Sequence, residues 1–326
     1  MHLRLVALTA VLLVPLAACH RPAGTRSDHH ETRSFAAAPG KLVRLDLRSL
    51  DAEVEVVTGE SIDVEVRLEA HSSSRAAAQR WIERNTPVMD DSPSRLEITV
   101  PKRSGVSVIG FIATEGTVHV KLPAQCMLEV RTASGDVSLS GEGTLSTPVR
   151  VDTTSGDVTV RGGTRELLLD TSSGDIRVTG AALAVLEANT SSGDVQLDSG
   201  AGRAVIETAS GDAALRNLAG DLSATSSSGD VEARWSRLPA GARVRIETAS
   251  GEVTLRMPAA VPLTGEVRTS SGRIQSDFPG AEDRRGRRFT LPGAAAGPPE
   301  SAAAGAELSI KTVSGDVTLV KTKLEL

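Results

Sequence analysis

The feature that most constrains this chain is a short phrase, Ser-Gly-Asp followed by an apolar residue, which recurs nine times between residues 134 and 317. In two copies another residue replaces the aspartate. The glycines of the nine copies are Gly135, Gly156, Gly174, Gly193, Gly211, Gly229, Gly251, Gly272 and Gly315, so the first seven intervals are 18 to 22 residues long and the last is about twice as long. A fixed period of about 20 residues is typical of repeat proteins, in which each unit buries its apolar face against its neighbours.

Apolar and polar residues alternate on both sides of each glycine. In the copy at Gly193, Ala188 lies five residues before the glycine, and Val195 and Leu197 lie two and four residues after it. Thr190, three residues before the glycine, stands at a position that is threonine or serine in every copy. The pattern predicts a strand, a tight turn and a second strand. The two inward-facing sets are an odd number of residues apart, so the Ser-Gly step must break the pleat, and glycine suits that break because it takes a positive φ without a Cβ penalty.

Units of this length are too short for a strand–helix–strand crossover. They predict an all-β fold, a parallel β-solenoid in which equivalent residues of successive coils stack about 4.8 Å apart. We expect a right-handed β-helix. The alternative is a β-sandwich or propeller of antiparallel hairpins, with Ser-Gly as the hairpin loop. The solenoid is favoured because the copies vary in length only between their turns.

Composition narrows the range of partners. Aromatic residues make up 2% of the chain, tyrosine is absent, and the formal net charge is −5. Sugars and single-stranded nucleic acids are often bound on aromatic platforms, of which the repeats outside the late insertion offer only Trp235. Together with the acidic balance, this shortage predicts no nucleic-acid partner. Cys126 alternates with Leu128 and Val130, so we expect its thiol to point inward as a small apolar group.

The N-terminus predicts export and lipid anchoring. Residues 1–18 have a basic start and an apolar run too short to span a membrane as a helix, as in a signal peptide. The Leu-Ala-Ala-Cys sequence that ends at Cys19 resembles the bacterial lipobox, which implies cleavage before Cys19, diacylglycerol on its sulfur and acylation of the new amine. The alternative is an ordinary signal peptide whose cleavage happens to leave a cysteine. His20, where an aspartate would favour retention, favours the outer membrane over the inner membrane.

Four further segments follow from the pattern. Residues 19–40 are polar and predict a lipidated flexible tether, in which the His29-His30 pair is interpreted as linker rather than as a metal site. Residues 41–125 predict N-terminal β-rich coils and a cap, with one helix at Arg75–Arg84. Residues 126–326 form the predicted repeat solenoid, interrupted by a loop insertion at 277–305 that is rich in glycine, proline and alanine.

The residue after the repeat glycine forms a candidate cation site. In stacked coils these acids would line one edge as a ladder, where neighbouring carboxylates about 5 Å apart repel each other by about 1 kcal/mol in water. The ladder aspartates are Asp136, Asp157, Asp175, Asp194, Asp212 and Asp230. The structural interpretation is that each carboxylate accepts turn N–H or hydroxyl groups, with Arg273 pairing with Glu252 at the end. The functional interpretation is Ca²⁺ bound along the edge. The structural one is favoured, and we expect no cofactor and no metal.

A second candidate site is the basic part of the insertion. Its arginines are Arg284, Arg285, Arg287 and Arg288. Such a cluster suits phosphate or acidic sugar; the alternative, a solvated loop, is favoured.

The repeated Thr-x-Ser-Gly-Asp-Val phrase, on a chain with a lipobox, resembles a bacterial family of domains of unknown function described as "putative adhesin". The resemblance covers residues 41–326 and implies a β-solenoid on envelope proteins, some of them tied to envelope-stress responses. It supplies no catalytic residues.

The function predicted is therefore that of a non-enzymatic lipoprotein at the cell envelope that presents its solenoid for binding, adhesion or scaffolding. Its partners would be the membrane, through the lipid anchor, and an envelope protein or polysaccharide. The alternative is a polysaccharide-active enzyme, because lyases and hydrolases also use parallel β-helices. The sequence offers no HExxH motif and no P-loop in its support.

Overall fold

The chain folds as a parallel two-sheet solenoid. The computed structural model describes residues 25–102, 111–180, 182–292 and 305–322. Each Ser-Gly turn joins a strand of a 14-stranded sheet, the first sheet, to a strand of a 13-stranded sheet, the second sheet. The inward side chains of both sheets form one apolar core of mostly valine, leucine, isoleucine and alanine.

The described part of the chain contains these elements in sequence order. They are β1 (Thr25–Ala36), β2 (Leu42–Asp46), β3 (Asp51–Val57), β4 (Ser61–Ser72), α1 (Arg75–Asn85), β5 (Val88–Asp91), β6 (Arg95–Thr99), β7 (Phe111–Pro123), β8 (Met127–Arg131), β9 (Val137–Leu145), β10 (Val149–Asp152), β11 (Val158–Thr164), β12 (Glu166–Thr171), β13 (Ile176–Thr179), β14 (Val185–Thr190), β15 (Val195–Asp198), β16 (Arg203–Thr208), β17 (Ala213–Leu218), β18 (Asp221–Ser226), β19 (Val231–Trp235), β20 (Arg243–Thr248), β21 (Val253–Pro258), β22 (Leu263–Thr269), β23 (Ile274–Ser276), β24 (Ala281–Glu282), β25 (Arg288–Leu291), β26 (Ala306–Thr312) and β27 (Val317–Thr322). The first sheet runs β24-β25-β22-β26-β20-β18-β16-β14-β12-β10-β8-β2-β6-β5, and the second runs β1-β4-β7-β3-β9-β11-β13-β15-β17-β19-β21-β27-β23.

The predicted solenoid is confirmed, because successive repeats pair in parallel and in register. In the first sheet, Ala188 lies between Leu169 and Ile206, the residues at the same position of the neighbouring repeats. In the second sheet, Val195 likewise lies between Ile176 and Ala213. Each apolar column is thus a continuous buried ladder, and the antiparallel alternative does not apply to the repeats. Each coil has two strands.

The coils do not follow chain order at the C-terminal end. The last repeat, β26 and β27, lies between the coil of β20 and β21 and the coil of β22 and β23. The apolar ladder therefore runs Ile246, Ile310, Val267. In the predicted loop at 277–305, β24 and β25 form a short antiparallel hairpin that extends the first sheet from β22. That part of the loop prediction was wrong, and residues 293–304 lie outside the described residues.

The N-terminal end repeats this arrangement. The coil of β2 and β3 lies between β6 and β7 on one side and β8 and β9 on the other. Its turn carries Ser49-Leu50-Asp51, a copy of the repeat phrase in which leucine replaces the glycine. The coil of β2 and β3 and the coil of β26 and β27 are thus each enclosed between two neighbouring coils, although they come first and last in the chain among the coils described.

Strand β1 corrects the predicted tether. Residues Thr25–Ala36 pair antiparallel with β4 along their whole length, from Thr25 against Ser72 to Ala36 against Ser61. The pairing covers the edge of the second sheet through main-chain hydrogen bonds, which need no apolar pattern. Arg26 adds an ion pair with Glu69 at 2.8 Å. The polar composition of this segment is therefore that of an exposed edge strand.

The predicted helix is present as α1, one residue longer than expected, at Arg75–Asn85. Its buried side chains include Ala78 and Ile82, and it lies over β1 and β4. Across the described residues, no helix has the length and hydropathy needed to cross a membrane.

Two side chains singled out by the sequence are buried. Cys126 is 1% exposed and its thiol lies 3.8 Å from the carbonyl oxygen of Ala38, as the alternation predicts. Burial raises the pKa of this thiol. Trp235 is 2% exposed and its indole N–H donates to the carbonyl oxygen of Gly220 at 2.9 Å. The tryptophan is therefore part of the core and offers no surface for stacking.

Candidate functional site

The recurring threonine or serine closes seven of the nine repeat turns, whereas the buried hydroxyls of Thr248 and Thr312 have no hydrogen-bond partner within the part of the chain that the structure describes. In the coil at Gly193, the Thr190 hydroxyl accepts a hydrogen bond from the Gly193 N–H at 3.0 Å. Thr190 itself is 6% exposed. The same bond joins the pairs Thr132–Gly135, Thr153–Gly156, Thr171–Gly174, Thr208–Gly211, Ser226–Gly229 and Thr269–Gly272, at 2.8 to 3.1 Å. The hydroxyl satisfies a backbone donor that would otherwise be buried without a partner.

This contact gives the first prediction. Thr190→Val keeps the shape of the side chain but removes the acceptor, so the Gly193 N–H becomes a buried unpaired donor at a cost of about 1–3 kcal/mol. We expect faster hydrogen exchange at the Gly193 amide, measured by NMR, and a lower free energy of unfolding. Thr190→Ser is the matched control, since Ser226 makes the same bond at 2.8 Å. Equal exchange in the two variants would contradict this role.

The recurring glycine is required by close contact, and the predicted positive φ was wrong. None of the described repeat glycines is among the residues with positive φ. Instead, a Cβ on Gly193 would lie 1.9 Å from the carbonyl oxygen of Gly174 in the preceding coil. Successive turns thus stack backbone on backbone, which leaves no space for a side chain.

The predicted acid ladder exists and its carboxylates are used within the solenoid. The Oδ1 atom of Asp175 accepts a hydrogen bond from the backbone N–H of Asp194 in the next coil at 2.9 Å. The same bond links Asp51 to Asp136, Asp136 to Asp157, Asp157 to Asp175, Asp194 to Asp212, Asp212 to Asp230 and Asp230 to Glu252, at 2.7 to 2.9 Å. These N–H donors offset the repulsion between neighbouring carboxylates. The donors come from the adjacent coil, whereas the sequence predicted donors in the same turn.

The ends of the ladder differ from expectation. Asp316 lies between Glu252 and Arg273, so the predicted pairing of Arg273 with Glu252 is wrong, and the Arg273 N–H instead donates to Asp316 Oδ1 at 2.8 Å. At the other end, desolvation raises the pKa of Asp51, and the hydrogen bond from the Asp136 N–H offsets part of this rise. Within the described ranges, no three histidine, cysteine, aspartate or glutamate side chains meet in an arrangement that could hold a metal ion.

The arginine-rich insertion forms one wall of a groove. The β24–β25 hairpin stands beside the outer face of the first sheet, and together they enclose about 710 Å³, which we call the basic groove. Its lining residues are Thr225, Ser226, Glu247, Thr248, Ala249, Arg268, Thr269, Ser270, Asp283, Arg285, Arg287, Arg288, Lys311, Thr312 and Val313. Of the four predicted arginines, the structure brings Arg285, Arg287 and Arg288 into the groove and leaves Arg284 outside its lining.

Sequence reasoning missed Lys311 and Arg268 as members of this site. They occupy the same position in the last two repeats, four residues before the repeat glycine, and lie side by side because β22 and β26 pair in register. Residue Cys19, the predicted lipidation site, lies outside the described residues. His30 of the predicted linker pair contacts Glu65 at 2.6 Å on the strand pair β1–β4.

The chain is similar to one family over most of its length. The sequence profile of a family described as Toastrack DUF4097 matches residues 43–320. No curated protein is similar enough to the chain to count as a match.

Several solved structures show distant similarity. A proposed lipid-binding protein from Parabacteroides distasonis is 14% identical, with a TM-score of 0.49 over 89% of this chain and 96% of that one. A proposed adhesin from Parabacteroides merdae is 13% identical, with a TM-score of 0.46 over 70% of this chain and 89% of that one. A proposed adhesin from Bacteroides fragilis is 12% identical, with a TM-score of 0.42 over 90% and 97%.

Proposed function

The chain belongs to the Toastrack DUF4097 family, and on that premise we propose that it is a non-enzymatic lipoprotein of the cell envelope that presents its β-solenoid as a binding surface. The observation that carries the proposal is that the repeated residues serve the architecture. The hydroxyl of Thr190 bonds to the turn, Gly193 contacts Gly174, and Asp175 bonds to the next coil. The chemistry available for recognition therefore lies in the residues that differ between coils.

Those differing residues face outward from both sheets. On the second sheet, Arg177 and Gln196 lie in register on adjacent strands and hydrogen bond at 3.0 Å. On the first sheet, Glu187 and Val205 occupy equivalent positions with different chemistry. A rigid stack of coils holds such side chains at fixed spacing, which suits binding of an extended partner such as an envelope protein or polysaccharide. The uses proposed for this surface are adhesion and scaffolding. They include scaffolding in a response to envelope stress.

The lipid anchor would hold one end of the solenoid close to the membrane. Only residues 20–24 separate Cys19 from Thr25, the first residue of β1. Six residue steps span at most about 20 Å. Two or more acyl chains on Cys19 would make the anchoring stable, and His20 favours the outer membrane. The second sheet has 13 strands, so its far edge lies about 60 Å from β1 at about 4.8 Å per strand.

A fractionation experiment tests the anchor. Cys19→Ala removes the only sulfur that the lipobox can present for lipidation, so we expect the protein to move from the detergent phase to the aqueous phase in a Triton X-114 partition of cells that express it. The wild-type chain should also incorporate a palmitate analogue, and the variant should not.

Cys126→Ala is the matched control for this experiment. The Cys126 thiol is buried in the core, so its removal should leave both the partition and the labelling unchanged. A wild-type chain that does not incorporate the palmitate analogue, or a Cys19→Ala chain that still does, would refute the lipoprotein assignment.

A further inference from the structure

The basic groove carries a charge opposite to that of the whole chain. Five basic and two acidic side chains line it, which gives a formal charge of +3 in a protein whose net charge is −5. The basic residues come from three separate segments, namely β22, the hairpin and β26. Their convergence therefore results from the fold and would not arise in an isolated arginine-rich loop.

Three of these basic residues lie side by side in one row across the first sheet. Lys311 is in register with Arg268, and Arg268 is in register with Arg288 on the hairpin. On the other side of Lys311, the row continues with Glu247 and Thr225. Like charges directly opposite each other on neighbouring strands are destabilising. Such a row is thus a cost to the fold unless anions offset it.

The acids nearby offset only part of this charge. Glu266 pairs with both Arg268 and Arg288 at 2.5 Å, and these contacts lower the pKa of its carboxyl, through Arg268 first. Glu247 is shared between Arg245 at 2.8 Å and Lys311 at 3.3 Å. Two carboxylates thus serve four cations.

The remaining acid of the groove is occupied by the backbone. Asp283 Oδ1 accepts the N–H groups of Arg287 at 2.8 Å and Arg288 at 3.2 Å, and these bonds lower the pKa of its carboxyl. This contact shapes the hairpin turn. Among the described residues, no acidic side chain pairs with the guanidinium groups of Arg285 and Arg287, so both are available to an external anion.

We propose that the basic groove binds an anionic saccharide, through carboxylate or phosphate groups held by Arg285 and Arg287 over the row of Lys311 and Arg268. Guanidinium groups form paired hydrogen bonds with both kinds of anion. The hydroxyls of Thr225 and Ser270 supply partners for sugar hydroxyls along the floor. No aromatic residue is among the lining residues, so the groove offers no stacking platform for a sugar ring or a nucleobase, and recognition rests on the charged and hydroxyl groups. Its volume lies within the range typical of small-ligand sites.

This inference rests on the binding role proposed above and names the class of partner. The groove is formed on strands at the end of the solenoid opposite to β1. An anchor at Cys19 would therefore leave the groove facing away from the membrane that holds the chain.

Calorimetric titration of the detergent-solubilised full chain tests the proposal. The probes are tetragalacturonate, glucose 6-phosphate, the neutral sugar maltotetraose, inorganic phosphate and phosphatidylglycerol vesicles. We expect one of the two anionic sugars to bind, more weakly at higher salt because the contacts are charged. Maltotetraose should not bind. The double variant Arg285→Gln with Arg287→Gln should weaken the binding at least tenfold, since it removes the two unpaired guanidinium groups.

Arg284→Gln is the matched control, because it removes an exposed arginine of the same hairpin that does not line the groove. It should leave the affinity within about twofold of the wild-type value, since surface contacts of this kind contribute little. The proposal is overturned if neither anionic sugar binds, if both sets of substitutions weaken binding equally, if inorganic phosphate binds as tightly as the sugars, or if only the vesicles bind. The last outcome would assign the groove to a lipid headgroup. None of these outcomes depends on Cys19, so the groove and the anchor are tested separately.

Discussion

In equilibrium denaturation, Gly193→Ala is expected to lower the free energy of unfolding by roughly 3–5 kcal/mol. The added Cβ would lie 1.9 Å from the carbonyl oxygen and 2.6 Å from the carbonyl carbon of Gly174. Both atoms are backbone, so no side chain can rotate away. Relief requires the two turns to separate by roughly 1 Å, against the close packing of the core. The strands on either side of the turn resist this movement because they are hydrogen bonded to their neighbours in register.

Gly59→Ala is the control for the general effect of replacing a glycine. Gly59 is exposed, its φ is not positive, and a Cβ there meets no atom within 4 Å. This substitution should therefore change stability by less than about 1 kcal/mol, and a small gain is expected because alanine restricts the unfolded chain. Denaturation followed by circular dichroism measures both variants. If the two unfold at the same denaturant concentration, the stacked-glycine explanation of the repeat is wrong.

The path of each coil could be predicted from the sequence because two signals agree there. Period-two alternation assigns Ala188 and Val195 to the core, and both are completely buried. The glycine between them marks the turn. The physical reason for the glycine could not be predicted, because a positive φ and a close backbone contact both require glycine at that position. Gly193 and its equivalents are required by the close contact, whereas Gly162 and Gly163, at the register shift within β11, have φ of 89° and 80°.

The order of the coils at the ends could not be predicted from the pattern. Ile310 lies next to Ile246 in the ladder. Val267 has a similar apolar side chain and holds the same position in the repeat that directly follows that of Ile246 in the sequence, yet it lies one strand further away. Repeats that share one apolar pattern are interchangeable as far as burial is concerned. The choice is made by connections such as the 277–305 insertion, whose length permits the last coil to enter between two earlier ones.

Strand β1 and the basic groove depend on contacts that leave no periodic signal. The strand is held by main-chain bonds to β4, so its side chains are free to be polar. The arginines of the insertion were visible as a cluster, but their neighbours Lys311 and Arg268 were not, because it is the pairing of the β24–β25 hairpin with β22 that brings the insertion next to them. The order of the coils can be tested directly.

Cross-linking of paired cysteines should report the coil order as an all-or-none result. Arg245, Glu266 and Ser309 each lie six residues before their repeat glycine, on the outer face of the first sheet, and Ser309 is in register with both of the others. Adjacent strands bring Cα atoms about 5 Å apart, within disulfide range, whereas two strand spacings exceed the limit of about 7 Å. In a chain without Cys19 and Cys126, oxidation should join Arg245→Cys to Ser309→Cys and Glu266→Cys to Ser309→Cys. It should not join Arg245→Cys to Glu266→Cys.

The third pair decides between the two arrangements, since coils stacked in chain order would place positions 245 and 266 side by side and leave position 309 next to 266 alone. Peptide mapping by mass spectrometry distinguishes the products. A 245–266 disulfide, together with failure of the 245–309 pair, would mean that the last repeat caps the solenoid from outside. Lys311 would then lie on the edge of β22 that β25 occupies, so Arg288 could not lie next to Arg268 and the row of three basic side chains in the groove would be broken. The coil order and the anion site therefore depend on the same strand, β26, because its position between β20 and β22 leaves the other edge of β22 to the hairpin, so that Lys311 and Arg288 lie on either side of Arg268.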